Sequence, residues 1–315
     1  MIVKKNLNPI KIWSYIKYQF LYSFLIAFLV WLFYFITGIK EISINFTPIG
    51  IIGSSLAIFI AFRNNSSYAR WWEARTIWGN IVNSCRILAR LIITFTNSHS
   101  HQPNFDLNRS LTFQKELVYN VIGWAFSLKL MLRDKNDFSE LQRFLSLQEF
   151  SEISQAQNKP NKILLLIGSK IYLAMANGTL GGFDSFQMEG QLLSLSNLQG
   201  SCERIKYTPI PKQYDYFTKV FVVIFSTLLP FGIIGFFQSE TMKNYSWISI
   251  ILSCIISGIF IVMERTGAAN EDPFENLVTD VPMSSICNTI EIDLKEMLSE
   301  TTLPEKISPK DGYLY

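Results

Sequence analysis

Four long apolar stretches dominate the hydrophobic pattern of the chain. They cover residues 20–36, 42–62, 217–237 and 245–263, and Lys219 is the single formal charge among them. A helix rises about 1.5 Å per residue, so roughly 20 residues cross the ~30 Å hydrocarbon core of a bilayer. The pattern therefore predicts four transmembrane helices, of which the third bends at Pro230 and Gly232.

Two shorter apolar stretches do not meet this criterion. Residues 117–132 contain Asn120 and Lys129, and residues 163–176 contain Lys170 and are too short to span a bilayer. Both are typical of buried or amphipathic helices in a water-facing domain.

The spans fall into two pairs, which predicts a domain organisation. We expect an N-terminal segment at 1–19, two transmembrane helices at 20–62, a helical domain at 63–216, two further transmembrane helices at 217–263 and a C-terminal segment at 264–315 that packs on the helical domain. Basic residues flank the first pair of spans. Four lysines precede it, at Lys4, Lys5, Lys11 and Lys17, and five arginines follow it, at Arg63, Arg70, Arg75, Arg86 and Arg90. By the positive-inside rule both termini and the helical domain are cytoplasmic, in a multi-pass membrane protein.

Composition agrees with a membrane protein that has a large water-facing part. Hydrophobic residues make up 49% of the 315 residues and charged residues 17%, against about 25% charged in an average soluble domain. The net charge of +3 is too small to indicate nucleic acid as a partner. The four cysteines show no CxxC spacing and are expected to be reduced thiols.

The second span ends in an abrupt change from apolar to polar sequence. Residues 59–75 read FIAFRNNSSYARWWEAR. The mixed charges of Arg70, Glu73 and Arg75 favour structural pairing near the end of the span over contact with nucleic acid or with ions. Read alone, the stretch is an interfacial belt in which paired tryptophans lie at headgroup level and Arg63 snorkels to the interface.

A stripe along the second span suggests a further interpretation. Ser54, Ile58 and Phe62 are spaced i, i+4, i+8 and share one helical face. Several copies around a symmetry axis would present rings of Ile58 and Phe62, and an apolar ring can gate a pore by dewetting. The alternative is an ordinary stripe that faces lipid or the protein core.

Four longer motifs resemble the bestrophin family, in particular its bacterial branch. They are FRNNSSYARWWEARTIWG at 62–79, CERIKYTPIP at 202–211, EDPF at 271–274 and ICNTIEIDL at 286–294. The resemblance implies an all-α membrane protein that assembles as a homopentamer. In that family the second helices line a central pore, and a cytosolic vestibule ends in a second constriction.

The resemblance also assigns candidate site residues. The pore neck corresponds to Ser54, Ile58 and Phe62, where family members generally have three bulky apolar residues, so Ser54 is a departure. The cytosolic constriction corresponds to Phe186, where a single aliphatic side chain is usual. Without the resemblance, Phe186 would be interpreted as a core residue.

Calcium and other metals are not expected. The carboxylates Glu271, Asp272, Glu275 and Asp280 are the type of ligand that calcium prefers, and animal bestrophins bind calcium through an acidic run after a Pro-Phe pair. Here that pair is followed by ENLVTD, which interrupts the run with apolar residues.

Signals for an enzyme are weak. His99 and His101 form an HxH in a polar loop, and no carboxylate or cysteine is near them in the sequence, so we expect a flexible loop and no metal site. The chain contains no GxSxG, HExxH or GxGxxG motif.

The leading hypothesis is a passive, non-enzymatic pentameric ion channel whose partners are copies of itself, membrane lipids and monovalent ions. Animal bestrophins conduct anions, whereas at least some bacterial relatives favour monovalent cations, so the sign of the ion stays open. The alternative is a membrane-anchored interaction or scaffold protein without a pore, which predicts a monomer or dimer. Secondary transport would call for charged residues near the bilayer midplane or for inverted repeats, and neither is visible.

Overall fold

A computed structural model gives the architecture of the chain. It describes residues 1–4, 9–101 and 105–315, and the side chains of these residues except 9–12, 14 and 15. Of the basic residues cited for the topology, Lys5 and the side chain of Lys11 lie outside the described residues. The helices of the described residues are α1 (Pro9–Thr37), α2 (Phe46–Ser98), α3 (Leu107–Leu132), α4 (Leu147–Ser154), α5 (Lys159–Ala176), α6 (Gly182–Tyr207), α7 (Lys212–Ile233), α8 (Ile248–Ala269) and α9 (Met283–Met297).

Among the described residues, four segments are long and apolar enough to cross a membrane, which confirms the prediction of four spans. They are Ile16–Thr37, Lys40–Ser98, Lys212–Phe237 and Ile248–Ala269. Pro230 lies inside α7, which ends at Ile233 and continues as a short 3₁₀ turn over Ile234–Phe237. The helix therefore changes its geometry just after the proline, where the ring removes a backbone donor.

The chain divides into two compact units. The membrane unit comprises residues 4–70 and 209–271, and the helical unit comprises residues 1–3, 71–208 and 272–315. Apart from two isolated bridges that join Ile2 and Lys310 to Tyr313, the regular elements of the described residues are helices. The fold class is therefore all-α.

The membrane unit has its own apolar core, built where α2, α7 and α8 meet. From α2 it contains Leu56 and Ile60, and from α7 it contains Phe225 and Leu229. A Cβ on Gly53 would lie 2.9 Å from the Phe225 ring, so the glycine permits close approach between α2 and α7. This packing fixes which face of α2 is buried and which is left exposed.

The helical unit has a larger core. Trp78 of α2 and Trp124 of α3 are fully buried in it. The helices predicted at 117–132 and 163–176 are confirmed as parts of α3 and α5. Both begin at side-chain caps, because the Asp106 carboxylate accepts from Asn108 N and Arg109 N, and the Asn158 side chain accepts from Asn161 N.

Candidate functional site

The predicted neck residues lie on an exposed face of α2 in the membrane unit. Ser54 is exposed, Ile58 is 59% exposed and Phe62 is 71% exposed. The opposite face is buried, with Leu56 at 3% and Ile60 at 0% exposure. The stripe is therefore available to something outside the subunit, and it is not part of the core.

The Ser54 hydroxyl is satisfied within its own helix. Its Oγ donates to the carbonyl oxygen of Gly50 at 3.0 Å. This i to i−4 bond directs the hydroxyl proton toward the helix backbone. On the face that the three residues share, Ser54 thus has a small side chain, whereas Ile58 and Phe62 have large apolar ones.

The residue after Phe62 is the centre of a buried ionic cluster. Arg63 Nη2 lies 2.5 Å from Asp215 Oδ1 and 3.4 Å from Glu271 Oε2, and Nη1 lies 3.8 Å from Glu264 Oε1. Nη1 also donates to the backbone carbonyl of Glu264 at 3.1 Å. The side chain of Arg63 is 1% exposed. The expectation that Arg63 snorkels to the interface is therefore wrong, because three carboxylates hold it inside the unit.

The three carboxylates of this cluster are each shared with a second cation. Lys219 lies 2.6 Å from Asp215, Arg265 lies 3.5 Å from Glu264, and Lys212 lies 3.7 Å from Glu271. Charge is thus alternated from the buried guanidinium outward, which offsets part of the cost of taking the ions out of water.

A second contact fixes α2 to α8 at the same level. The amide of Asn64 donates to the carbonyl of Met263 at 2.9 Å. A Cβ on Gly267 would collide with the Asn64 side-chain oxygen. Together with Arg63, this contact sets the rotation of α2 directly after the exposed stripe.

The predicted constriction residue is also exposed. Phe186 is the fifth residue of α6 and is 74% exposed, and Phe183 on the preceding turn is 71% exposed. The core location that the sequence alone would have suggested for Phe186 is therefore wrong. Phe186 also borders a groove of about 790 Å³ between α5 and α6 in the helical unit.

Of the three residues predicted to pair, Arg70 and Glu73 contact distant parts of the chain and Arg75 lines a groove. Arg70 Nε donates to the backbone carbonyl of Glu271 at 2.8 Å, and Glu73 lies 2.5 Å from Arg204 Nη2. Arg75 lies along a groove of about 670 Å³ that also contains Arg86. The partners of Arg70 and Glu73 are far away in sequence, so spacing along one helix could not identify them.

The acidic residues considered for calcium have separate partners. Glu271 faces Arg63, and Glu275 accepts from Lys206 Nζ at 2.7 Å. Asp280 accepts from Leu277 N at 3.0 Å, and burial raises the pKa of its carboxyl. Among the described residues, no three His, Cys, Asp or Glu side chains are grouped to hold a metal ion.

Sequence reasoning missed the surroundings of His99. The structure brings a carboxylate to it, since His99 Nε2 lies 2.7 Å from Asp184 Oδ2. The two residues are 85 positions apart, so no local motif could have shown the contact.

A family model described as Bacterial/Fungal Bestrophin protein matches residues 10–296. The chain belongs to the bestrophin family. This confirms the resemblance that the four motifs indicated.

Named relatives agree with this membership. The chain is 31% identical over 305 residues to the voltage-dependent anion channel-forming protein YneE of Escherichia coli K12. The match covers 96% of this chain and 92% of the relative. It is 26% identical over 269 residues to the voltage-dependent anion channel-forming protein RSc3414 of Ralstonia nicotianae, covering 85% of this chain and 82% of that one. These relatives favour an ion channel over an enzyme.

Solved structures give the same result for the fold. A crystal structure of a bacterial bestrophin homolog from Klebsiella pneumoniae matches with a TM-score of 0.79 and 28% identity, over 91% of this chain and all of the other. Another crystal structure, of a membrane protein, matches with a TM-score of 0.80 and 28% identity, over 91% of this chain and all of that one. The chain is therefore an all-helical membrane protein with the bestrophin fold.

Proposed function

We propose that this bestrophin is a homopentameric channel that passes small monovalent ions passively through the plasma membrane. The neck consists of rings of Ser54, Ile58 and Phe62, and the second constriction is a ring of Phe186. Both termini and the helical unit lie in the cytoplasm. The protein needs no cofactor, binds no calcium and catalyses no reaction.

The observation that carries the proposal is the exposed apolar stripe on α2. Ile58 and Phe62 are 59% and 71% exposed on a helix whose opposite face is buried, and the stripe contains no charged residue. Five such stripes around an axis form apolar rings, where ions cross only when the ring is wetted. The names of the YneE and RSc3414 relatives, which describe anion channel-forming proteins, support conduction as the function.

The test is ion flux through the purified protein in liposomes. Ile58→Ala and Phe62→Ala widen and wet the neck, so we expect flux to rise by roughly tenfold. Ile255→Ala is the matched control, because Ile255 is 55% exposed on α8 and outside the stripe. Equal flux through the Ile58→Ala and Ile255→Ala variants would contradict the assignment of Ile58 to the pore neck. The channel function would be contradicted if neither the wild-type protein nor the Phe62→Ala, Phe186→Ala double variant gave any ion flux.

The sign of the permeant ion is a separate question. Uncharged rings do not select a sign, because discrimination also depends on dehydration and on surrounding charge. Reversal potentials in asymmetric NaCl and KCl distinguish the anion selectivity that the relatives' names suggest, with chloride as the permeant ion of the test, from sodium-type cation selectivity.

The competing function is a scaffold that is anchored in the membrane and has no pore. It predicts a monomer or dimer, whereas the channel predicts five copies. Light scattering of the detergent-solubilised protein separates the two.

A further inference from the structure

The turn that follows α2 contacts the start of α6. His99 comes directly after Ser98, the last residue of α2, and its Nε2 lies 2.7 Å from Asp184 Oδ2. Both side chains are mostly buried, at 18% and 14% exposure. The contact is thus largely shielded from bulk water.

Both sides of this contact are anchored. The same Asp184 oxygen accepts from the backbone N–H of Gly181 at 2.8 Å, so the carboxylate is fixed to the first turn of α6. On the other side, Gln114 of α3 donates to Thr96 Oγ1 at 2.7 Å and to Asn97 Oδ1 at 2.8 Å, which holds the end of α2. A bond between two anchored groups transmits a change in its strength to the start of α6.

Phe186 projects away from this contact. It follows Asp184 by two positions on the same helix, and two residues of an α-helix turn through about 200°. When Asp184 is held toward His99, Phe186 is directed to the opposite side of α6, where it is 74% exposed.

We infer that His99 and Asp184 are positioning residues for the Phe186 constriction, and that protonation of His99 strengthens their contact and narrows the constriction. The inference rests on the proposed channel function. Imidazole is the side chain that ordinarily gains its charge between pH 5 and 8. The carboxylate is a charged acceptor in either case, and protonation of the ring adds a second charge of opposite sign, which strengthens the contact by Coulombic attraction.

The contact with Asp184 places a charged group beside the imidazole ring of His99. The carboxylate comes from Asp184 of α6, and the uncharged Gln114 of α3 bonds to Thr96 and Asn97 on the last turn of α2. His101 follows in the same turn and is exposed. The negative charge of Asp184 attracts the protonated imidazole, so the contact becomes stronger as the pH is lowered.

The experiment is conductance in planar bilayers with symmetric KCl and equal pH on both sides. The wild-type protein should conduct about threefold less near pH 5.5 than near pH 8, because the charged pair holds the Phe186 ring in place. His99→Gln and Asp184→Asn should give a flat profile at the higher conductance. His101→Gln is the matched control and should keep the wild-type profile. Gel filtration checks that each variant retains the wild-type assembly.

A second set of variants tests whether the pair acts through the constriction. In a Phe186→Ala background the pH profile should be flat, and adding His99→Gln should change nothing further. The inference is overturned if His99→Gln keeps the profile, if Phe186→Ala keeps it, or if the conducting wild-type protein shows none. A wild-type protein that does not conduct at all contradicts the proposed function itself, which separates the two failures.

Discussion

The two proposed constrictions are held in place by different kinds of contact. Ile58 and Phe62 lie within a helix of 53 residues, and Arg63, the next residue, is 1% exposed among three carboxylates. Phe186 lies five residues into α6, and near the start of this helix Asp184 contacts His99 and accepts from the backbone N–H of Gly181. A buried cluster resists rotation strongly, whereas a contact near a helix terminus yields at low cost. We therefore expect a stiff neck and an adjustable constriction.

Arg63→Met provides the strongest test of the stiff neck. Removal of the guanidinium leaves Asp215, Glu264 and Glu271 without their shared cation, and breaking a buried ion cluster costs about 3–5 kcal/mol. We expect a large fall in the unfolding temperature of the detergent-solubilised protein. Lys212→Met is the control, because the Lys212 side chain is 69% exposed and 3.7 Å from Glu271, and its loss should cost less than about 1 kcal/mol. Equal unfolding temperatures for the two variants would contradict a central role for Arg63.

Gly267→Ala tests the second contact that sets the rotation of α2. The added Cβ collides with the Asn64 side chain, and overpacking of this kind costs about 1–3 kcal/mol. The control is Gly200→Ala on α6, where a Cβ meets no atom within 4 Å and helix propensity predicts stabilisation of up to about 1 kcal/mol. Thermal unfolding that moves the same way in both variants would argue against the close approach at Gly267.

The same contrast explains what the sequence could predict. The four spans and the helices α3 and α5 were readable, because apolar runs and helical periodicity are local signals. The spacing of Ser54, Ile58 and Phe62 along one face of α2 was readable for the same reason, whereas the pattern left open whether that face was exposed or part of the core.

The supporting contacts could not be read in this way. Arg63 meets Asp215, which lies 152 positions away, and His99 meets Asp184, which lies 85 positions away. Such pairs are determined by how helices pack, and a charge at the end of a span looks the same whether it snorkels or is buried. Phe186 was assigned by resemblance alone, since a phenylalanine on a helix is more often in the core.

Ser54→Ile sharpens the comparison from the side of the neck. It adds a third bulky apolar residue to the exposed stripe and removes the hydroxyl that bonds to Gly50. A longer apolar neck is harder to wet, so we expect ion flux in liposomes to fall by roughly tenfold. Ser66→Ile, at an exposed position beyond Phe62 whose hydroxyl also bonds to the helix backbone, should reduce flux much less. If ion flux did not change in Ser54→Ile, the main barrier to ions would lie outside the proposed neck.

Asp184→Asn measures how lightly the start of α6 is held. Asparagine keeps an oxygen for the Gly181 N–H but loses the charge that faces His99. A hydrogen bond to a charged group is worth about 1.5–3 kcal/mol and one between neutral groups about 0.5–1.5 kcal/mol, so the change costs about 1 kcal/mol. We expect a small shift of the unfolding temperature, well below that of Arg63→Met, and Glu152→Gln on the exposed face of α4 should give almost none. A shift as large as that of Arg63→Met would mean that the constriction is as rigidly supported as the neck. A small shift combined with a clear change in conductance would instead place control of ion flow at the end of the pathway that deforms more easily.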